Sequence, residues 1–216
     1  MRGPLSAAFR NLMKALKYIV SIVALTAALT LSARANFIVD QNPDGVKMDI
    51  DDHNSGVTDF EGFVGANHPT APHVDVHTTG KVTTGSGFAN IKPVHGETLT
   101  QLIFTPENGN LFNGFSFRGQ LERAAGGIVT AVVVDNLGNS QTFTFSGLGN
   151  GDFQRQGIIS LDGETIKSVT LISNFKEVKQ IEWIDAPAQA PDGGTTVMLL
   201  GAALGTLGMA RRFFKS

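Results

Sequence analysis

Three side chains with the chemistry of metal ligands stand two residues apart: His73, Asp75 and His77. Alternate residues of an extended strand point to one side, so this spacing places two imidazoles and a carboxylate on one face. Such a set suits zinc or copper. His68 stands near it in sequence, and His53 and His95 stand further off as imidazoles that would complete a site. The competing explanation is a solvated strand face, because alternation gathers any residues at this spacing. A second cluster, Asp49, Asp51 and Asp52 with Asn54 and Gly56, has the oxygen donors of a calcium loop. It departs from the EF-hand pattern, with His53 at the fifth position and Phe60 where the bidentate Glu belongs. A solvated acidic loop competes with calcium there.

No residues form a catalytic constellation. Glu97, Glu107, Glu122, Glu164 and Asp152 supply carboxylates, but nothing around them marks an acid–base pair. Ser160 and Ser168 lack a nucleophile elbow. The Gly-rich segments do not form a phosphate loop leading into a helix. The expectation is a protein that is not an enzyme and has no cofactor, a calcium ion excepted.

The elements that must position these side chains are strands. From Pro72 onward the apolar pattern has period two and is broken by turn residues, the signature of half-buried antiparallel strands. Leu99 to Thr105 is one such stretch, and Phe115 and Phe117 alternate with Ser116 and Arg118 in the next. Ile128 to Val134 is a β-branched run suited to a central strand buried on both faces. Asn136-Leu137-Gly138-Asn139 reads as a turn, after which Phe143 and Phe145 share a face. Gly157 to Leu161, Ile166 to Ile172 and Val178 to Ile184 complete the series, with a hairpin-type turn at Asp162-Gly163. In the last stretch Ile181 and Trp183 share a face, which predicts a core tryptophan rather than a sugar platform.

Short strands without a long helix predict an all-β fold, an antiparallel β-sandwich of jelly-roll type. The phenylalanines, 15 in the chain, would fill its core. Residues 36–72 are acidic and weakly periodic, and are expected to be mostly loop with one or two short strands. The domain itself is expected over 73–185, followed by a Pro-containing linker at 186–190. There is no cysteine, so disulfides contribute nothing to stability.

Both ends have a different character. The first 35 residues carry Arg2, Arg10, Lys14 and Lys17 but no acid, then an apolar run from Tyr18 to Leu31, then Ala33-Arg34-Ala35. That order is a secretory signal peptide, a signal helix whose small residues Ala33 and Ala35 mark one cleavage site, with the mature chain beginning near Asn36. An uncleaved membrane anchor is the alternative. At the other end, Pro191-Asp192-Gly193-Gly194 precedes an apolar run from Thr195 to Ala210 and then Arg211 and Arg212. As a helix, about 16 residues span about 24 Å, a marginal transmembrane length. The basic cluster would hold that end in the cytoplasm. A buried C-terminal helix is the alternative.

This C-terminal order over 191–216 resembles the PEP-CTERM class of sorting tails in its VPDSG variant, with Ala190 for the usual Val and Gly193 for Ser. The resemblance implies recognition by an exosortase, a membrane enzyme thought to cut at the short motif. Residues Asn113–Gln120, Phe175–Trp183 and Lys81–Pro93 are similar to the sandwich domain often found ahead of such tails. That implies an exported β domain and brings no catalytic residues with it.

The basic ends conceal the charge of the middle. The whole chain has net charge −2, but residues 36–190 carry nine Lys and Arg against eighteen Asp and Glu, a net −9. Such a domain disfavours nucleic acid and anionic lipid as partners. The sequence therefore predicts an exported protein of the cell envelope, surface or extracellular matrix. The Sec translocon and an exosortase are its expected partners during export, and its C-terminal helix sits in the membrane before processing. A structural or exopolysaccharide-associated role is expected. A carbohydrate-binding module is the alternative, and a matrix-polymer hydrolase the more distant one.

Overall fold

The computed structural model describes residues 36–50, 54–65, 70–85, 88–107, 111–122, 126–151 and 153–186. The stretches expected to be a signal peptide and a sorting tail lie outside them. Among the described residues, no helix is long and apolar enough to cross a membrane.

Eleven strands follow one another: β1 (Phe37–Val39), β2 (Val46–Asp49), β3 (Ser55–Val64), β4 (His73–Gly85), β5 (Asn90–Pro93), β6 (Leu99–Pro106), β7 (Phe112–Leu121), β8 (Gly127–Asp135), β9 (Ser140–Leu148), β10 (Gln154–Ser160) and β11 (Ile166–Asp185). All their pairings are antiparallel. Period-two sequence explains the strands. In β4, Val74, Val76, Thr78, Gly80, Val82 and Thr84 are buried, while the residues between them face solvent or are half-buried.

The strand β11 organises the sheet. Its first part, Ile166–Ile172, lies between β6 and β8. Its second part, Phe175–Asp185, pairs with β7, and Glu182 and Trp183 also pair with β2. The register shifts between Ile172 and Phe175. One course of the sheet thus runs β9, β8, β11, β6, β4, β3, and another runs β1, β10, β7, β11, β2. Pairing of β2 with β3 and of β5 with both β4 and β11 joins them.

Aromatic rings fill the space between the two courses. Phe104 of β6 lies 5.3 Å from Phe115 of β7, and Phe117 of β7 lies 5.9 Å from Phe145 of β9. These strands share no backbone ladder, so the rings join opposite layers, an arrangement consistent with a β-sandwich. Trp183 is 0% exposed and packs 5.0 Å from both Phe112 and Phe115, as the shared face with Ile181 predicts. Each fully buried ring contributes about 1.5–3 kcal/mol.

Three local expectations change. Residues 36–72 hold β1, β2 and the ten-residue β3 rather than mostly loop. Backbone pairing with β4 and β10 supplies what their weak periodicity does not signal. The run Ile128–Val134 is central, between β9 and β11, but only one of its faces is fully buried, and Ile128 is 55% exposed. An antiparallel sheet leaves its outer face to water. The two last strands expected from sequence are one strand with an irregularity inside it.

Candidate functional site

The outward face of β3, β4 and β6 carries the polar cluster. His73, Asp75 and His77 do share the outer side of β4, as alternation requires. Strand pairing adds residues from both neighbours. Asp59 of β3 stands opposite His77, and Glu61 stands opposite Asp75. On the other side, Ile103 and Thr105 of β6 stand opposite His77 and Asp75.

The β4 trio does not converge on one point. At about 3.3 Å per residue, positions four apart are about 13 Å apart, too far for His73 and His77 to share an ion. Each imidazole instead meets a carboxylate of β3. His77 Nδ1 lies 2.6 Å from Asp59 Oδ1, and His73 Nδ1 contacts Glu61 Oε1. The His77 pair is open to solvent. Hydrogen bonding from His77, then from Thr58, holds the Asp59 carboxyl below the ordinary carboxylate range. The His73 pair is half-buried, and the His73 imidazole meets the Phe63 ring edge-on at 4.6 Å.

Glu107 approaches from the end of β6, where its N–H donates to the His73 carbonyl at 3.1 Å. One ligand atom each of Glu61, His73 and Glu107 lies within 4.8 Å of the others. Neither glutamate stands out as a ligand in the sequence, since Glu61 lies in β3 and Glu107 just after β6, both distant from His73 in the chain. Register across β3, β4 and β6 brings them together, and no local spacing encodes that register.

Over this face runs an open groove of about 530 Å³, lined by Asp59, Glu61, Asp75, His77 and Thr105 with parts of Phe60, Val76 and Ile103. Carboxylate, imidazole and hydroxyl groups from three strands therefore face one channel. A second groove, about 420 Å³, lies along β2 beside Phe88, which is 46% exposed. The Lys47 ammonium sits 3.8 Å from that ring's centre. Phe88 has φ 60° and accepts a hydrogen bond from the N–H of Gln180, itself at φ 51°. Both are left-handed conformations that cost energy for residues other than glycine. The sequence gives no sign of this exposed ring.

The remaining candidates fall as follows. Asp49 ends β2, and its Oδ1 accepts from the N–H of Ile50 at 2.8 Å. Asp51, Asp52 and His53 lie outside the described residues, as does His68. So do Ala33, Ala35, Pro191, Asp192, Gly193, Gly194, Arg211 and Arg212. His95 is exposed in the loop after β5.

No family model matches the sequence, and no curated protein matches it. Among solved structures, the chain is similar to a family 29 carbohydrate-binding module complexed with mannohexaose. Identity is 14% and the TM-score 0.32, over 71% of this chain and 90% of that one. It is also similar to a family 11 carbohydrate-binding module from Clostridium thermocellum in complex with a β-1,3-1,4-mixed-linked tetrasaccharide. There identity is 13% and the TM-score 0.30, over 66% and 98% of the two chains. The enzymatically active domain of bacteriophage CBA120 tailspike protein 4 gives 11% identity and a TM-score of 0.27, over 69% and 19%. Likenesses of this degree assign neither ligand nor activity.

Proposed function

We propose that this chain is an exported, non-enzymatic β-sandwich protein that binds neutral polysaccharide at the cell surface or in the extracellular matrix. The observation that carries the proposal is the groove over β3, β4 and β6. Asp59, Glu61, Asp75, His77 and Thr105 offer acceptors and donors along an open channel. Sugar hydroxyls both donate and accept, and these side chains match them in kind. The net charge of −9 on residues 36–190 weighs against an anionic polymer.

Sorting is the second half of the proposal. Pro191-Asp192-Gly193-Gly194, the apolar run and Arg211-Arg212 support recognition by an exosortase after Sec-dependent export. The mass of the mature protein from cells with and without the exosortase tests it. A tail shortened near Pro191 only in the presence of the enzyme is expected, and the same C-terminus in both cells contradicts it.

Binding is tested by isothermal titration of the full chain with purified neutral exopolysaccharide. Heat of binding that falls at least tenfold in affinity on Asp75→Ala supports the groove. No heat with any neutral polymer removes the binding role and leaves a structural one.

A further inference from the structure

We propose that Glu61, His73 and Glu107 form a binding site for a divalent transition-metal ion, with zinc as the best match. The three residues come from β3, the start of β4 and the position just after β6, so the sheet itself brings them together. Their ligand atoms lie within 4.8 Å of one another. Zinc bonds to imidazole nitrogen and carboxylate oxygen at about 2.0–2.2 Å, which places ligand atoms about 3.4 Å apart in a tetrahedron. Glu61 and His73 are in hydrogen-bond contact and part slightly to admit the ion, while the exposed side chain of Glu107 rotates to bring its carboxylate to bonding distance.

Two features hold His73 at the centre of the set, one on its ring and one on its backbone. Phe63 holds the ring edge-on, and the Glu107 N–H ties the end of β6 to the His73 carbonyl at 3.1 Å. The electrostatics of the face favour a cation. Asp59, Glu61, Asp75 and Glu107 gather on it, and among the described residues no Lys or Arg pairs with any of the four. Bound metal would take the place of the proton between His73 and Glu61, uniting both carboxylates with the ring. The imidazole decides which metal: calcium and magnesium select oxygen, whereas zinc and its neighbours accept nitrogen with carboxylate. Three protein ligands leave a further position for water. The site differs from the His73-Asp75-His77 trio that spacing alone suggests, because only His73 belongs to both.

The test is titration of the chelator-treated full chain with zinc chloride, followed by calorimetry and by the thermal midpoint of unfolding. The expected result is one zinc ion per chain with a dissociation constant in the micromolar range or tighter, and a midpoint that rises with zinc. H73A and E107Q should each weaken binding at least tenfold and lose the rise in midpoint. H95A, at an exposed loop position outside the site, should bind zinc as the unaltered chain does. Circular dichroism of H73A without metal checks that the fold survives, and E107Q, at an exposed position, repeats the test without that risk. Absence of stoichiometric zinc binding overturns the proposal, as does binding unchanged in both H73A and E107Q. Calcium binding equal to zinc overturns the role given to the imidazole. Polysaccharide binding is measured separately, so either result leaves the groove to its own test.

Discussion

His77 Nδ1 and Asp59 Oδ1 lie 2.6 Å apart across the β3–β4 ladder, an imidazole donating to a carboxylate directly opposite it. The bond stabilises the charged carboxylate, so Asp59 ionises at lower pH than a free aspartate. The sign for folding follows. A carboxyl group with a depressed folded pKa contributes stability above its unfolded pKa, and the contribution is lost as pH falls through the folded value. Both side chains are solvent-exposed, so the effect on stability is small. The direct readout is the Asp59 carboxyl resonance. Its titration midpoint should fall below the ordinary aspartate value and return toward it in His77→Ala.

Trp183 is buried among Phe112 and Phe115, yet its indole N–H finds no acceptor among the described residues. Trp183→Ala removes the ring and should cost about 3–5 kcal/mol. Trp183→Phe keeps most of the volume and removes the unpaired donor, so its cost should stay below about 1.5 kcal/mol. Urea unfolding followed by circular dichroism separates the two.

Asp135 is fully buried at the β8–β9 turn. Its carboxylate accepts from the N–H of Leu137 at 2.9 Å, the N–H of Asn139 at 2.7 Å and the side-chain amide of Asn139 at 2.8 Å. Asp135→Ala leaves these donors without their partner and should destabilise by about 1–3 kcal/mol. Asp135→Asn, which keeps one acceptor oxygen, should cost less in the same unfolding experiment.

Gly80 sits in the buried row of β4, where a Cβ would overlap the carbonyl oxygen of Thr98. The obstacle is backbone, so no side-chain rotation relieves it. Gly80→Ala should destabilise by about 1–3 kcal/mol. Gly151→Ala, where a Cβ meets nothing, is the control and should be close to neutral.

These features differ in how far the sequence reveals them. The Asn136–Asn139 turn and the alternation that buries Phe143 and Phe145 are local, and local pattern exposes them. Trp183 is legible for the same reason, through its two-residue spacing from Ile181. The strand β3 is not, because Gly56, Gly62 and the acidic Asp59 and Glu61 interrupt its apolar rhythm while β4 supplies its partners. The single course of β11 is hidden by Ser173-Asn174, which reads as a break but serves as a shift of register. The site shows the same division. The shared face of His73, Asp75 and His77 follows from spacing, whereas Glu61 and Glu107 reach His73 only through pairings distant in sequence.

Whether polysaccharide lies in the groove over β3, β4 and β6 is read out by amide chemical-shift mapping during titration with a neutral exopolysaccharide oligomer. The largest shifts are expected at Asp59, Glu61, Asp75, His77 and Thr105, the polar lining of that groove. Shifts clustered instead around Lys47 and Phe88, or no saturable shifts at all, would contradict it.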